Sequence, residues 1–569
     1  MKYSLLPRTR ILLSFIVLFS LILLGKLFYV QVVHSSLYSE RADRQYATPT
    51  ENIFERGTIF FSRKDGQLVS AAMQTTGFKL AIDPSKISDP EAVYKIISEI
   101  LPVNKEDFMA KAGKKDDPYE EVATHMSKEE ADAISALKIP GLNIFKEKWR
   151  FYPGETLASH ALGFVGYKGS ELGGRYGLER QYDSELSRNK NNPYVNFFAE
   201  VFSNINQAIL GGGEKEGNVI TTIEPAVQSF LEKKIEEVSN KYGTDSVGGI
   251  IMNPKDGSIY ALGVKPDFNP NEFGKVKKIS TFSNPLVENV LEFGSVVKPL
   301  VMASALNEGV ISPATQYEDK GSVIVEKKEI FNFDKKARGV VNMQEVLNQS
   351  LNTGMVFVEQ KLGRAKTKDY LLSFGIKEKT GIDLPNETSG LVSNLESPRE
   401  IEFANASFGQ GIALTPIEMI RALASLSNGG KLVVPHVVRE IKYADGTSKE
   451  FLYETKPTKI TPETGNTITS MLVLVMDKAI KGGLGKIDNH SVAVKTGTAQ
   501  VADTQNGGYY EDRHTHSFFG YFPAYDPEFI ILLYAVNPKG VEYAATTWSD
   551  PFLDLTKFLL NYYEVPPDR

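Results

Sequence analysis

Cysteine is absent from this sequence, which excludes disulfides, thiolate metal sites and a lipidated N-terminal cysteine, and is compatible with an oxidising compartment. Histidine is scarce, at seven residues. None falls in an HExxH pattern, and His514 and His516 lack the one-turn spacing of a helical metal pair. The sequence therefore offers no metal site and points to no cofactor. A net charge of only −6 gives no electrostatic reason for a nucleic-acid partner. No repeat or low-complexity segment is present, which removes a solenoid.

The 569 residues, 24% charged and 42% hydrophobic, are globular in composition and long enough for about three or four domains. Residues 1–10 carry Lys2, Arg8 and Arg10 and no acid. An apolar run comes next, interrupted by Lys26, whose side chain can snorkel, so a helix over 11–33 is long enough to span a bilayer. Positive charge before the span places the N-terminus in the cytoplasm. No small-x-small site comes after it, so the segment reads as an anchor and not a cleaved signal peptide. Residues 34–215 read as a separate α+β region, a spacer and docking domain. Two strands surround a Lys64-Asp65-Gly66 turn, helices lie around Glu91–Ile100 and Lys128–Leu137, and no catalytic spacing occurs. From 216 to 569 the order is strands, then helices, then strands. Glu224-Pro225 opens a helix, two strands flank Lys255-Asp256-Gly257, and a last helix lies near Pro551–Tyr562. That order predicts an α+β fold, an antiparallel sheet covered by helices.

The chemistry centres on Leu291-Glu-Phe-Gly-Ser-Val-Val-Lys-Pro-Leu300. Ser295 and Lys298 stand three apart at the head of an apolar helix, close to one turn. A serine hydroxyl becomes a useful nucleophile when a base lies within reach, and a lysine serves as that base if burial and a second cation lower its pKa. A chain this long holds about three S-x-x-K matches by chance, and Ser135–Lys138 and Ser187–Lys190 are two such. Ser295 is singled out by two motifs that lie downstream of it in a set order. Ser350-Leu351-Asn352 lies in the helical stretch MQEVLNQSLNTGMVFVEQKL, and Lys495-Thr496-Gly497-Thr498 comes after the alternating strand SVAV. A second K-T-G, Lys379–Gly381, lies among turn residues and reads as structural. The ordered set S-x-x-K, S-x-N, K-T-G is far more specific than any one part.

With these motifs the sequence resembles the class B penicillin-binding proteins, membrane-anchored peptidoglycan transpeptidases of bacteria. The likeness extends to Arg56-Gly57-Thr58-Ile59, Gly177-Leu178-Glu179, Asp267–Asn271, FGQGIALTPIEM and SFFGYFPAYDP. It implies the penicillin-binding transpeptidase fold over 216–569, behind a single transmembrane helix and an elongated pedestal of dimerisation type. It implies Ser295 as the acylated nucleophile, Lys298 as base, Ser350 as proton relay and Asn352 as a hold on the donor's amide. Lys495, Thr496 and Thr498, with Gly497 between them, would meet the donor's terminal carboxylate, and the N–H groups of Ser295 and Thr498 would form the oxyanion hole. Implied partners are D-Ala-D-Ala stem peptides, an acceptor amine, β-lactams as inhibitors, a membrane glycosyltransferase and other division or cell-wall proteins. The implied location is the cytoplasmic membrane, single-pass, with the catalytic domain outside. The C-terminal sequence looks most like the division-type branch. An elongation enzyme, a carboxypeptidase or β-lactamase, a β-lactam sensor and a non-catalytic scaffold are the competing readings. Two positions depart from the family: Phe293 replaces its usual proline, and Val494 its usual glycine, which would add a side chain near the edge where substrate docks.

Overall fold

The computed structural model describes residues 56–168, 171–187, 216–443, 445–503 and 507–569, together with Phe19 and Leu23. The rest of the expected anchor over 11–33, the tail before it, and residues 34–55 and 188–215 lie outside the described residues. Among the described residues no helix is long and apolar enough to cross a membrane. The chain forms two compact units. Residues 75–149 belong to one; residues 56–74, 150–187 and 216–569 belong to the other. The second unit thus takes in stretches that the sequence groups with the pedestal.

Strand β1 (Ile59–Ser62) pairs antiparallel with the start of β2 (Leu68–Ile82), Ser62 opposite Leu68, across the turn expected at Lys64–Gly66. β2 is longer than expected because it pairs with more than β1: its second half lies against β3 (Glu120–Met126), and it also pairs with the strand Leu142–Phe151. The 75–149 unit adds helices α1 (Pro90–Ser98), α2 (Lys105–Ala112) and α3 (Lys128–Ala136) and strand β4 (Leu142–Phe151). Their starts are set locally. Asp89 caps α1 ahead of Pro90, and Ser127 and Glu130 form a reciprocal capping box on α3, each satisfying orphan N–H groups of a first turn. Leu80, Ile82, Ile97, Phe108, Met126 and Ile134 make this unit's core.

In the larger unit β5 (Gly217–Thr221) runs parallel to β1, and α4 (Pro225–Tyr242) lies behind the cap Glu224. β6 (Ser246–Met252) and β7 (Ile259–Lys265) come next. Helices α5 (Lys298–Asn307), α6 (Met343–Asn348), α7 (Asn352–Leu362) and α8 (Pro462–Lys478) are inserted before β8 (Ala493–Ala502), β9 (Tyr509–Phe522), β10 (Phe529–Val536) and the closing helix α9 (Ala544–Tyr562). The sheet has the order β8-β9-β10-β6-β7 and is antiparallel throughout, as the strand–helix–strand order of the sequence predicts. Both its faces are covered. Gly520 faces Phe552 of α9, while its neighbour Tyr521 bonds Thr469 of α8 at 2.8 Å. This explains the uninterrupted apolar run FIILLYAV in central β10. At the β7 edge Gln228 of α4 bonds both the N–H and the carbonyl of Leu262. The opposite edge strand is β8, which carries K-T-G.

Two elements differ from expectation. α9 starts at Ala544, seven residues before Pro551, and carries that proline inside it. Trp548, Phe552, Leu555 and Leu559, all buried, keep one apolar stripe running past the proline, and their burial outweighs the lost backbone bond. The stretch MQEVLNQSLNTGMVFVEQKL, read as one helical segment, breaks at Ser350.

Candidate active site

Ser295 sits in a single 3-10 turn, Gly294–Val297, which runs directly into α5 at Lys298. This turn rests on β8 with no side chain between. Gly294 takes φ +61, and a Cβ there would lie 2.9 Å from the Thr498 carbonyl oxygen. A Cβ on Gly497 would lie 2.4 Å from the Phe293 carbonyl oxygen and 3.0 Å from the Val296 nitrogen. Ser517 Oγ, from β9, donates to the same Phe293 carbonyl at 2.7 Å. The glycine of K-T-G is therefore what lets the Ser295 turn lie against the strand.

The break at Ser350 has a local cause. The N–H of Leu351 bonds the Val346 carbonyl and that of Ser350 bonds the Leu347 carbonyl, the paired pattern that ends a helix with one left-handed residue. Glycine usually takes that place; here it is Ser350 at φ +55, a conformation costing a non-glycine residue about 1–2 kcal/mol. Ser350 consequently stands between α6 and α7 with its hydroxyl free to meet both lysines.

Lys298 and Lys495 are both fully buried. Lys298 Nζ donates to the Ser350 carbonyl at 2.6 Å, Asn352 Oδ1 at 2.8 Å and Ser350 Oγ at 3.3 Å. Lys495 Nζ donates to Ser350 Oγ and the Thr496 carbonyl, each at 2.9 Å. Burial, and then the charge of Lys495, push the Lys298 pKa well down. Burial pushes Lys495 down to about 7. None of the three Lys298 bonds reaches Ser295; hydrogen bonds of catalytic groups commonly tighten only in the substrate complex. A cleft of about 830 Å³ is lined by Ser295, Ser350, Asn352, Lys495, Thr496 and Thr498, with Lys298 and Gly497 packed beneath. One surface thus offers the Ser295 hydroxyl, an amine of depressed basicity and a second hydroxyl, Ser350 Oγ, that accepts from two amines.

The penicillin-binding protein transpeptidase domain family matches residues 247–554, and the penicillin-binding protein dimerisation domain family matches 54–200. The chain is a class B penicillin-binding protein. It is 28% identical to stage V sporulation protein D of Bacillus subtilis, over 94% of this chain and 82% of that one. It is 25% identical to peptidoglycan D,D-transpeptidase FtsI of Buchnera aphidicola, over 98% and 95%. In fold it is similar to penicillin-binding protein 2X of Streptococcus thermophilus, with a TM-score of 0.71 at 22% identity over 90% of this chain and 81% of that one.

Within this penicillin-binding protein several residues stand otherwise than the sequence suggests. Val494 does not crowd the substrate edge. It is buried, and Gly520 opposite leaves it room: a Cβ on Gly520 would lie 2.8 Å from Val494 Cγ1. Phe293 is buried too, so both departures from the family pattern are absorbed by the core. Asn352 is already engaged on both ends, its Nδ2 donating to the Phe331 carbonyl at 2.9 Å, and the Thr498 hydroxyl accepts from the Ala544 N–H at 3.1 Å. The second K-T-G lines no part of the cleft; Thr380 Oγ1 bonds Glu387 instead. Ser187, of the discarded S-x-x-K, accepts from Arg56 at 2.8 Å. Arg56 belongs to a buried cluster that sequence reading only half recovered: Glu179 takes Arg56 on one oxygen at 2.5 Å and Arg150 on the other at 2.6 Å. Desolvation opposes the Glu179 charge, but the two guanidiniums hold its pKa below the usual range. Arg150 lies in no recognisable motif, and its role emerges only from the fold.

Proposed function

We propose that this protein is a peptidoglycan D,D-transpeptidase that works through a serine acyl-enzyme. Ser295 Oγ attacks the carbonyl carbon of the penultimate D-alanine of a stem peptide, and its proton passes to the Lys298 amine. The bond to the terminal D-alanine breaks, and Ser350 relays a proton to the departing nitrogen. An amine of a neighbouring strand then attacks the ester, forms the cross-link and frees Ser295. Asn352 orients the donor's amide, and Lys495 with Thr496 and Thr498 meets its carboxylate. The N–H groups of Ser295 and Thr498 receive the oxyanion, and the seating of Gly294 on the Thr498 carbonyl supports that pairing. The observation that carries the reading is one cleft shared by Ser295, Ser350, Asn352, Lys495, Thr496 and Thr498, with Lys298 driven toward its neutral form. Mass spectrometry after incubation with a fluorescent penicillin tests it. Label on Ser295 alone, lost in Ser295→Ala, is expected; label at Ser135 or Ser187 refutes it.

The finer placement is also proposed. Residues 11–33 anchor the chain with 1–10 in the cytoplasm, 34–215 act as the pedestal that docks a membrane glycosyltransferase, and 216–569 form the transpeptidase domain outside the membrane. Reporter fusions at Ser36 and at the C-terminus should both read as external; a mature N-terminus after Val33 contradicts the anchor. The C-terminal stretches SFFGYFPAYDPEFIILLYAVNPKG and NYYEVPPDR favour a septal role. Depletion should leave filaments with unfinished septa, whereas rounded cells that still divide assign the protein to elongation.

A further inference from the structure

Glu292, three residues before Ser295, takes no part in the chemistry above, yet its carboxylate joins three separate pieces of chain. Oε1 accepts from the Tyr509 hydroxyl at 3.0 Å and from the Gly411 N–H at 3.2 Å. The Gly411 N–H also reaches the Tyr509 hydroxyl at 3.2 Å. Oε2 is buried and has no hydrogen-bond partner among the described residues. Just before it, Leu291 is fixed by paired backbone bonds to Leu414, at 2.8 and 2.9 Å.

Each of the three pieces leads to the cleft. Glu292 is two residues from Gly294 and so holds the entry to the nucleophile turn. Gly411 lies just after the turn Ser407–Gly409; Phe408 of that turn and Gln410 beyond it line the cleft. Within that turn Gly409 is seated on Gly294, where a Cβ would lie 2.1 Å from the Gly294 carbonyl oxygen. Tyr509 opens β9 opposite Ala502 of β8, two residues beyond the cleft-lining Gln500.

The surroundings make the charge of Glu292 matter. From β9 it faces Tyr509, and from the segment after Gly409 the Gly411 backbone amide; among the described residues no cation contributes to its titration. Among the described residues Glu402 also acts on Tyr509, and is itself held by Asn394 at 3.0 Å and Arg399 at 3.1 Å. Burial without a counter-ion pushes the Glu292 carboxyl up to about 7. An ionised carboxylate accepts hydrogen bonds roughly twice as strong as a neutral acceptor does, so protonation weakens both of its grips together.

We infer that Glu292 is a positioning residue whose ionised carboxylate, holding Tyr509 and Gly411 together, keeps the Ser295 turn in register with both walls of the cleft. The inference rests on the reading of Ser295 as the acylated residue. It is tested by the acylation rate of the full chain with a fluorescent penicillin between pH 5.5 and 9, for wild type, Glu292→Gln and Tyr509→Phe, with thermal melting as the check on folding. Taking each variant as a ratio to wild type removes the pH dependence that Lys298 and Lys495 give to both. Glu292→Gln keeps the size and an acceptor but never ionises. Its ratio should fall to roughly one-tenth above pH 8, the order expected of a sub-ångström misplacement, and return towards one near pH 5.5. Tyr509→Phe should show the same trend with a smaller amplitude, and decides the matter alone if Glu292→Gln folds poorly. A ratio of one at every pH, or a depressed ratio that does not change with pH, overturns the inference. Wild-type protein that takes up no label overturns the reading of Ser295 itself, a distinct result.

Discussion

Gly497→Ala separates the position of Ser295, the proposed nucleophile, from its chemistry, because it adds one methyl and removes none of the proposed reacting groups. Gly497 is not among the positive-φ glycines, so alanine suits the strand there and only space is lacking. The new Cβ would lie 2.4 Å from both the Phe293 carbonyl oxygen and Ser517 Oγ, and 3.0 Å from the Val296 nitrogen. Ser517 can rotate away by giving up its 2.7 Å bond to Phe293. The other two atoms are backbone on either side of Ser295. Non-bonded contact needs about 3.5 Å, so the turn must retreat from β8 by about 1 Å. Overpacking of this kind costs about 1–3 kcal/mol, which leaves the fold intact. A shift of that size at a reacting atom costs about 10²-fold in rate. Stopped-flow acylation by a fluorescent penicillin, beside a melting curve, measures both. Folded Gly497→Ala that acylates at the wild-type rate would refute the close seating of the turn on the strand.

Removing the amine at Lys495 should slow acylation by about 10²–10³-fold, the scale of losing a positioned electrostatic group, while the same change at Lys379 should leave the rate nearly unchanged. Equal losses would mean the catalytic K-T-G has been misassigned. The pH profile of kcat/KM should have two limbs of different origin. On the proposed reading Lys298 is a neutral base of depressed pKa, so activity should be lost as pH falls and protonates it. On the same reading Lys495 binds the donor as a cation, so activity should decline as pH rises through about 7; Lys495→Arg, always charged, should move the alkaline limb upward, and an unmoved limb excludes Lys495 as its source. Glu179→Ala leaves two buried guanidiniums without their shared carboxylate and should destabilise the larger unit by about 3–5 kcal/mol, read as a lowered melting temperature; an unchanged melting curve would show the cluster to be dispensable.

The sequence by itself determined the parts of this protein whose causes are local. The caps at Asp89, Ser127 and Glu224 fixed helix starts, because an N-cap acts within one turn. The alternation before Lys495 marked a strand, and the strand–helix–strand order implied the antiparallel sheet. The family was legible for a related reason: S-x-x-K, S-x-N and K-T-G each lie within four residues, and their order identified it. Only the tertiary structure decided which distant residues meet. It turned Val494 into the core against Gly520, ended a helix at Ser350 so that one hydroxyl touches two lysines, recruited Arg150 to Glu179, and tied Glu292 to Tyr509, 217 positions away. Spacing along a chain specifies which face a side chain takes on its own element. It does not specify which element packs against that face, because that choice depends on burial and polar pairing summed over the whole unit.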